Sequence, residues 1–308
     1  MIKIADFSWN PDSQRLLADG AWGTSLMQRG LERGDAPERM NADKPNVIDT
    51  LAREYFDAGS DIILTNSFVG SRTQLQRHAL ADKTTELNRK GAEIAKRAAL
   101  ESKGHTFSRP LVAGSIGPSG KMLMMDEISA DELFDVFAEQ VAALRDGGVD
   151  CILVESMLDI EEMALAVKAA REHTELPIIS SMTYEKGNQG YRTIMGNDPQ
   201  ACVDRAVAEG AAIVGANCGT GIANYMELAR ELCDMNAAPV WIKANAGLPE
   251  LVASDTVYKQ TPEEYAGLVP ELLDAGVNVV GGCCGTTPEF IKAMRRSLDS
   301  WLGDNINR

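Results

Sequence analysis

Long hydrophobic runs are missing from this chain of 308 residues: nowhere do the ~20 consecutive apolar residues of a membrane-spanning helix occur. A basic surface is missing as well. The 30 lysines and arginines are outnumbered by 45 acidic residues, a net charge of −15, which argues against nucleic acid as a partner. The N-terminal stretch Met1–Gln14 carries Lys3, Asp6 and Asp12 and has no apolar core of a secretory signal, so a cytoplasmic location is expected. Disulfides do not persist there, and the 6 cysteines read as core residues or metal ligands. Histidine is scarce. His78, His105 and His173 fall in helical or loop sequence, so a metal site at strand ends must use other donors. Low-complexity tracts and long linkers are absent too, and one domain over residues 1–308 is expected.

What is present is a run of eight short apolar segments separated by helical sequence: Leu16–Ala21, Asp61–Asn66, Leu111–Ser115, Cys151–Glu155, Ile178–Met182, Ala212–Cys218, Val240–Ala244 and Val277–Cys283. They are continuous rather than alternating, as strands buried on both faces are, and strand–helix alternation implies a parallel sheet. Ser129-x-x-Glu132 and Thr261-x-x-Glu264 are capping boxes at helix starts. The joint from helix to strand recurs as Asp57-Ala-Gly-Ser-Asp, Asp146-Gly-Gly-Val-Asp, Glu209-Gly-Ala-Ala and Asp274-Ala-Gly-Val-Asn, with glycine ending the helix each time. Eight such units predict an α/β fold, a single-domain (β/α)₈ TIM barrel, with an open doubly wound sheet as the alternative. Tyr184–Asp198 and Asn245–Lys259 are the longer loops, and Asp304–Arg308 reads as a frayed end.

Barrel chemistry sits at the C-terminal ends of strands. Those positions hold Asp19, Asn66, Ser115, Glu155, Tyr184, Asn217, Cys218, Asn245, Cys283 and Cys284. Three thiols at the ends of the sixth and eighth strands point to a soft metal, zinc first, with one position open for a further ligand. A thiol taking that position becomes a nucleophilic thiolate at neutral pH. One objection stands: neighbours on a strand, such as Cys283 and Cys284, face opposite ways, unless Gly281, Gly282 and Gly285 relax the backbone. Cys151, Cys202 and Cys233 read as small core residues. Glu155 closes an apolar run and needs a partner or a task, such as holding a substrate ammonium. Asp19 either binds substrate or caps the following turn, and Asn217 and Asn245 orient ligands or loops. Two readings of another class remain: a phosphate cradle at Gly281–Thr287, and a non-catalytic protein with a closed structural zinc.

Asp19-Gly-Ala-Trp-Gly-Thr24, Thr65-Asn-Ser-Phe68, Val154-Glu155, Gly215-Ala-Asn-Cys218 and Gly281-Gly-Cys-Cys-Gly285 follow one another in an order and spacing that resembles the homocysteine S-methyltransferases. That family includes the homocysteine barrel of cobalamin-dependent methionine synthase and, more distantly, betaine–homocysteine methyltransferase. The resemblance implies a barrel that methylates homocysteine to methionine, with one zinc ion on Cys218, Cys283 and Cys284. It places Asp19 and Glu155 at the homocysteine pocket, and Asn217, next to Cys218, is taken with them as a substrate-binding residue that orients the ligand. Betaine enzymes carry a tyrosine after the second-strand Phe, where this chain has Val69. Arg192-Thr-Ile-Met-Gly196 looks more like the methionine synthase barrels. The chain has room for one barrel and none for folate, corrinoid or reactivation modules, so the expected donor is a methylcorrinoid (methylcobalamin) on a separate protein. Betaine or a methylsulfonium compound, with Trp22 and Tyr184 as aromatic walls, is the alternative. An exposed docking face at the barrel mouth would favour a donor protein, and an enclosed pocket a small donor. The sequence leaves the oligomeric state unknown.

Overall fold

A computed structural model describes residues 1–4, 7–252 and 255–306. The eight apolar segments form the eight parallel strands of one sheet: β1 Leu16–Leu17, β2 Ile62–Leu64, β3 Leu111–Ile116, β4 Cys151–Met157, β5 Ile178–Met182, β6 Ile213–Cys218, β7 Val240–Ala244 and β8 Val279–Gly282. Every residue of β2, β3, β5, β7 and β8 is buried, which is why those stretches show no polar alternation. The order is β1-β8-β7-β6-β5-β4-β3-β2, and a parallel bridge from Ala18 to Ile62 brings the two ends together. The sheet therefore closes into the TIM barrel, and the open-sheet alternative falls away.

The helices lie around it: α1 Pro45–Asp57, α2 Thr84–Glu101, α3 Ala130–Asp146, α4 Ile160–His173, α5 Pro199–Glu209, α6 Met226–Asp234, α7 in two pieces (Pro262–Ala266 and Val269–Asp274), and α8 Pro288–Ile306. Both capping boxes form, at Ser129/Glu132 and Thr261/Glu264. The recurrent joint works as the sequence implies: Gly59, Gly148, Gly210 and Gly276 all have φ between 87° and 111°, which only glycine adopts without strain. Three expectations need correction. The eighth strand stops at Gly282, one residue before Cys283. The two long loops are not plain loops, because each contains a short hairpin, Glu185–Gly187 with Gly190–Arg192 and Glu250–Val252 with Asp255–Val257. The C-terminal end is helical to Ile306 rather than frayed, with Asn307 and Arg308 outside the described residues. Among the described residues, no helix is long and apolar enough to cross a membrane.

Gly215 shows how closely β6 and β7 approach. A Cβ added there would lie 1.9 Å from the carbonyl oxygen of Trp241, so the backbone itself would have to move. Gly215→Ala is expected to lower stability by about 3 kcal/mol or more, read as a drop in thermal midpoint, because strand and not side chain must yield.

Candidate metal centre

Cys218 ends β6 with φ 68°, a left-handed conformation that turns its side chain out of the strand's alternation. Cys283 and Cys284 lie just beyond β8, in a turn closed by Thr286, whose N–H (3.1 Å) and hydroxyl (2.7 Å) both donate to the Cys283 carbonyl. The objection from strand alternation thus dissolves, since the two cysteines have left the pleat. β7 grips this turn: the Cys283 N–H donates to the Ala244 carbonyl (2.7 Å), and the Ala246 N–H to that of Cys284 (2.9 Å). Gly285 has φ 82°, and a Cβ there would meet Tyr258 Cγ at 2.3 Å, so Tyr258 packs directly against the turn.

The three sulfurs lie within 4.8 Å of one another, the one such cluster among the described residues, with 3.9 Å between Cys218 and Cys284 and 4.0 Å between Cys283 and Cys284. A tetrahedral ion with Zn–S bonds of about 2.3 Å sets its sulfurs about 3.8 Å apart. The donor set fits a soft cation in spacing and in chemistry. As thiols all three are held above the ordinary cysteine range, although their contacts with one another act in both directions. The Cys218 thiol is pushed up to about 12, first by its contact with Cys283, and the Cys284 thiol to about 12, first by its contact with Cys218. Only a cation among them would hold all three as thiolates at neutral pH. Asn245 stands between the two thiol turns, its N–H donating to the Cys218 carbonyl (3.3 Å) and its Nδ2 to the Gly219 carbonyl (2.6 Å). Among the described residues its Oδ1 is buried without a partner, leaving an oxygen donor unused at the end of β7.

Below the sulfurs lies a buried polar layer. Asn217, fully buried, donates from Nδ2 to Ser156 Oγ (2.6 Å) and accepts at Oδ1 from the Ser156 N–H (2.8 Å) and Ser181 Oγ (2.7 Å). Its Nδ2 also lies 3.9 Å from Cys283 Sγ. Asn217 therefore ties β4, β5 and β6 to the thiols rather than standing open to a ligand. Ser156, at φ 56°, marks a register shift of β4 against β5, so two non-glycine residues at this site carry left-handed backbone. Glu155 Oε1 accepts from Ser115 Oγ at 2.5 Å, while Oε2 has one long contact, 3.4 Å to Asn217 Nδ2. Burial pushes the Glu155 carboxyl up, and the charge of Lys243 opposes that most.

Asp19 is wholly buried and fully engaged. Its Oδ2 accepts from Trp22 Nε1 (2.8 Å) and the Leu64 N–H (2.7 Å), and its Oδ1 from Lys243 Nζ at 2.5 Å. Lys243 escaped the strand-end reading because it lies within β7, not after it. The signal was there: one lysine inside Val240-Trp-Ile-Lys-Ala244 must be paired or employed. Of the other strand-end positions, Asn66 braces the backbone, donating to the Pro37 carbonyl (2.8 Å) and Asn41 Oδ1 (2.9 Å). Tyr184 is 1% exposed and Trp22 is 8% exposed with its indole N–H committed, so neither offers an open aromatic face. Cys151 and Cys202 are buried core residues as expected, and Cys233 packs at the core's edge.

The loops that follow β2, β3, β4, β5 and β7 carry Phe68, Met122, Met124, Met125, Leu158, Ile194, Leu248, Leu251 and Val257, all exposed. Beside the β2 loop, fully buried Glu38 accepts from the Val69 N–H at 2.9 Å, and among the described residues its Oε2 has no partner. Burial raises its carboxyl to about 7. A raised acid favours folding below its unfolded value, and that advantage is lost as pH rises through about 7. Wild-type stability should therefore fall by up to about 3 kcal/mol from pH 5 to pH 8 at this residue, and Glu38→Gln should flatten that limb in denaturant titrations.

Comparison with known proteins gives a coherent set. The homocysteine S-methyltransferase family model matches residues 16–298. Methionine synthase of Mycobacterium tuberculosis (strain ATCC 25618 / H37Rv) is 33% identical over 299 residues, covering 93% of this chain and 25% of that protein. Methionine synthase of Mycobacterium leprae (strain TN) is 33% identical over 297 residues, covering 92% of this chain and 24% of that protein. The chain thus spans about a quarter of the length of these relatives. Among solved structures, the metallated form of the homocysteine methyltransferase MmuM from Escherichia coli superposes with a TM-score of 0.76 at 22% identity, covering 93% of this chain and 99% of that one. Its apo form gives 0.72 at 22% identity, covering 94% and 100%. At that identity the likeness is one of fold.

Proposed function

The chain belongs to the homocysteine S-methyltransferase family, and from that premise we propose that it transfers a methyl group to the thiol of homocysteine, forming methionine. Residues 1–308 then make up one homocysteine-binding barrel, with a zinc ion held by Cys218, Cys283 and Cys284 at the ends of β6 and β8. The observation that carries this is the convergence of three sulfurs within 4.8 Å of one another at the barrel mouth. A zinc ion bound there supplies the positive charge that keeps an acceptor thiol ionised at neutral pH.

The chain's own residues do the rest. Glu155 offers its open oxygen to the acceptor's ammonium, and Ser115 holds the carboxylate's other oxygen in place. Asn217 keeps β4, β5 and β6 in register beneath the sulfurs, so the acceptor arrives oriented toward the mouth. The acceptor sulfur attacks the methyl carbon in line, a carbon–sulfur bond forms, and the electron pair of the broken bond leaves with the donor.

The donor is read as a methylcorrinoid presented by another protein body. What supports this is the number of exposed apolar side chains on the loops that follow the strands, Met122, Met124, Met125, Leu251 and Ile194 among them, which a docked protein would cover. A betaine or methylsulfonium donor would need aromatic faces around its cation. Trp22 and Tyr184, the residues that would supply them, are buried. A phosphate cradle at Gly281–Thr287 is disfavoured by the thiols of Cys283 and Cys284 at its centre.

The test is zinc content by elemental analysis with X-ray absorption at the zinc edge. About one zinc per chain, with three sulfur ligands rising to four when homocysteine is added, is the expected result. A site closed by four protein ligands and indifferent to homocysteine would overturn the proposal and favour a structural zinc.

A further inference from the structure

β4 carries one residue too many. Val154 pairs with Ser180 of β5 and Met157 with Met182, so three steps along β4 match two along β5, and the surplus falls at Glu155–Ser156. Ser156 absorbs it with φ 56°, a left-handed conformation that costs a serine free energy and that glycine adopts freely. Neighbours on a regular strand face opposite ways, yet both side chains of this bulge reach the same amide. Asn217 Nδ2 lies 2.6 Å from Ser156 Oγ and 3.4 Å from Glu155 Oε2. At the other end of that amide, Oδ1 accepts from the Ser156 N–H at 2.8 Å and from Ser181 Oγ at 2.7 Å. A backbone N–H can only donate, so it fixes which end of the amide is oxygen. The nitrogen end is thereby turned to the thiols. One of its two N–H groups meets Ser156 Oγ, and the other is left for Glu155 Oε2 and for Cys283 Sγ at 3.9 Å. Reversed, the amide would set a carbonyl oxygen against a carboxylate and a sulfur. Most left-handed positions among the described residues are glycine, but a glycine here would lack the Oγ that Asn217 uses.

We propose that Ser156 is a positioning residue of the metal centre: acting through Asn217, it holds an N–H donor toward Cys283 Sγ. This rests on the reading of the three thiols as metal ligands. An N–H aimed at a ligand thiolate takes up part of its negative charge and orients it, as outer partners of metal ligands do. Three thiolates already outweigh a dication, and a thiolate acceptor adds a further negative charge, so a donor at Cys283 eases that load. The bulge of β4 is thus tied to the sulfur beyond β8 through one side chain of β6.

The experiment needs neither methyl donor nor acceptor. Zinc affinity of the full chain is measured by competition with a chromophoric chelator, and each protein is melted beside it. Ser156→Ala and Ser156→Gly both remove Oγ, and both should weaken zinc about fivefold, the scale of one net hydrogen bond. Their stabilities should differ, because glycine relieves the left-handed backbone and alanine does not, so Ser156→Gly should melt above Ser156→Ala. A role in folding alone would make the zinc loss follow that melting order. In an Asn217→Ala background, either substitution should change zinc affinity by less than about twofold, since nothing remains for Ser156 to position. With cobalt(II) exchanged into the site, the sulfur-to-cobalt charge-transfer band should move to lower energy in Ser156→Gly, because a thiolate that loses an N–H donor yields its charge more readily. Wild-type zinc affinity in folded Ser156→Gly, an unmoved band, a loss that tracks the melting order, or a loss that persists in full beside Asn217→Ala would overturn the assignment. A wild-type chain that holds zinc without its three sulfurs would instead bring down the metal-centre reading itself, and this inference with it.

Discussion

Cys218→Ala should lose bound zinc and methyl transfer together, with zinc falling from about one per chain to a small fraction and activity dropping on the order of 10³-fold. The physical case has two parts. Removing one of three thiolates takes away a third of the soft donor set, and the remaining pair, adjacent in sequence, grips from one side only. Without the cation, an acceptor thiol is mostly protonated at neutral pH, and it is no longer held against the incoming methyl group. The fold should survive the change. Alanine meets the same left-handed backbone cost at φ 68° as cysteine does, and the Asn217 contacts beneath are untouched. Elemental analysis, a thermal melt and a methionine assay on one preparation check all three statements. An active, zinc-free Cys218→Ala protein would overturn the mechanism.

How much of this was legible in the sequence differs by scale. The barrel was legible because strands buried on both faces leave unbroken apolar runs, and because Gly59, Gly148, Gly210 and Gly276 each mark the same helix-to-strand joint. The thiol cluster was legible because strand ends are where this fold places chemistry. The way the vicinal cysteines meet was not, since it depends on β8 ending at Gly282 and on a turn closed by Thr286. Lys243 was hidden by the same rule that exposed the thiols: attention went to residues after each strand, and this one lies inside. Asp19 was read as a substrate or turn residue because sequence gives no distance to a lysine 224 positions away. The exposed apolar side chains at the mouth have no sequence signature either. They sit on five loops far apart in the chain, each following the C-terminal end of a strand.

Glu155→Gln should weaken homocysteine binding about 10²-fold while leaving zinc in place, an effect sized by the loss of one partner of a buried charge pair. Glutamine keeps an oxygen to accept from Ser115 Oγ and keeps the side chain's volume, so the layer below the sulfurs stays packed. What disappears is the anion that faces the acceptor's ammonium. The loss should fall on KM, with kcat changed less than about tenfold, because the sulfur is still held at the thiol cluster. The pH dependence carries the stronger test. Burial raises the Glu155 carboxyl, so in the wild type homocysteine affinity should climb as pH rises through that raised value and the anion forms. Lys243 opposes the shift, so replacing Lys243 by methionine should move the limb to higher pH, and Glu155→Gln should remove it. Calorimetric titration of homocysteine from pH 5 to pH 8 reads all three proteins on one scale. A limb that persists unchanged in Glu155→Gln would take Glu155 out of the pocket and leave the acceptor's ammonium without a carboxylate to meet it.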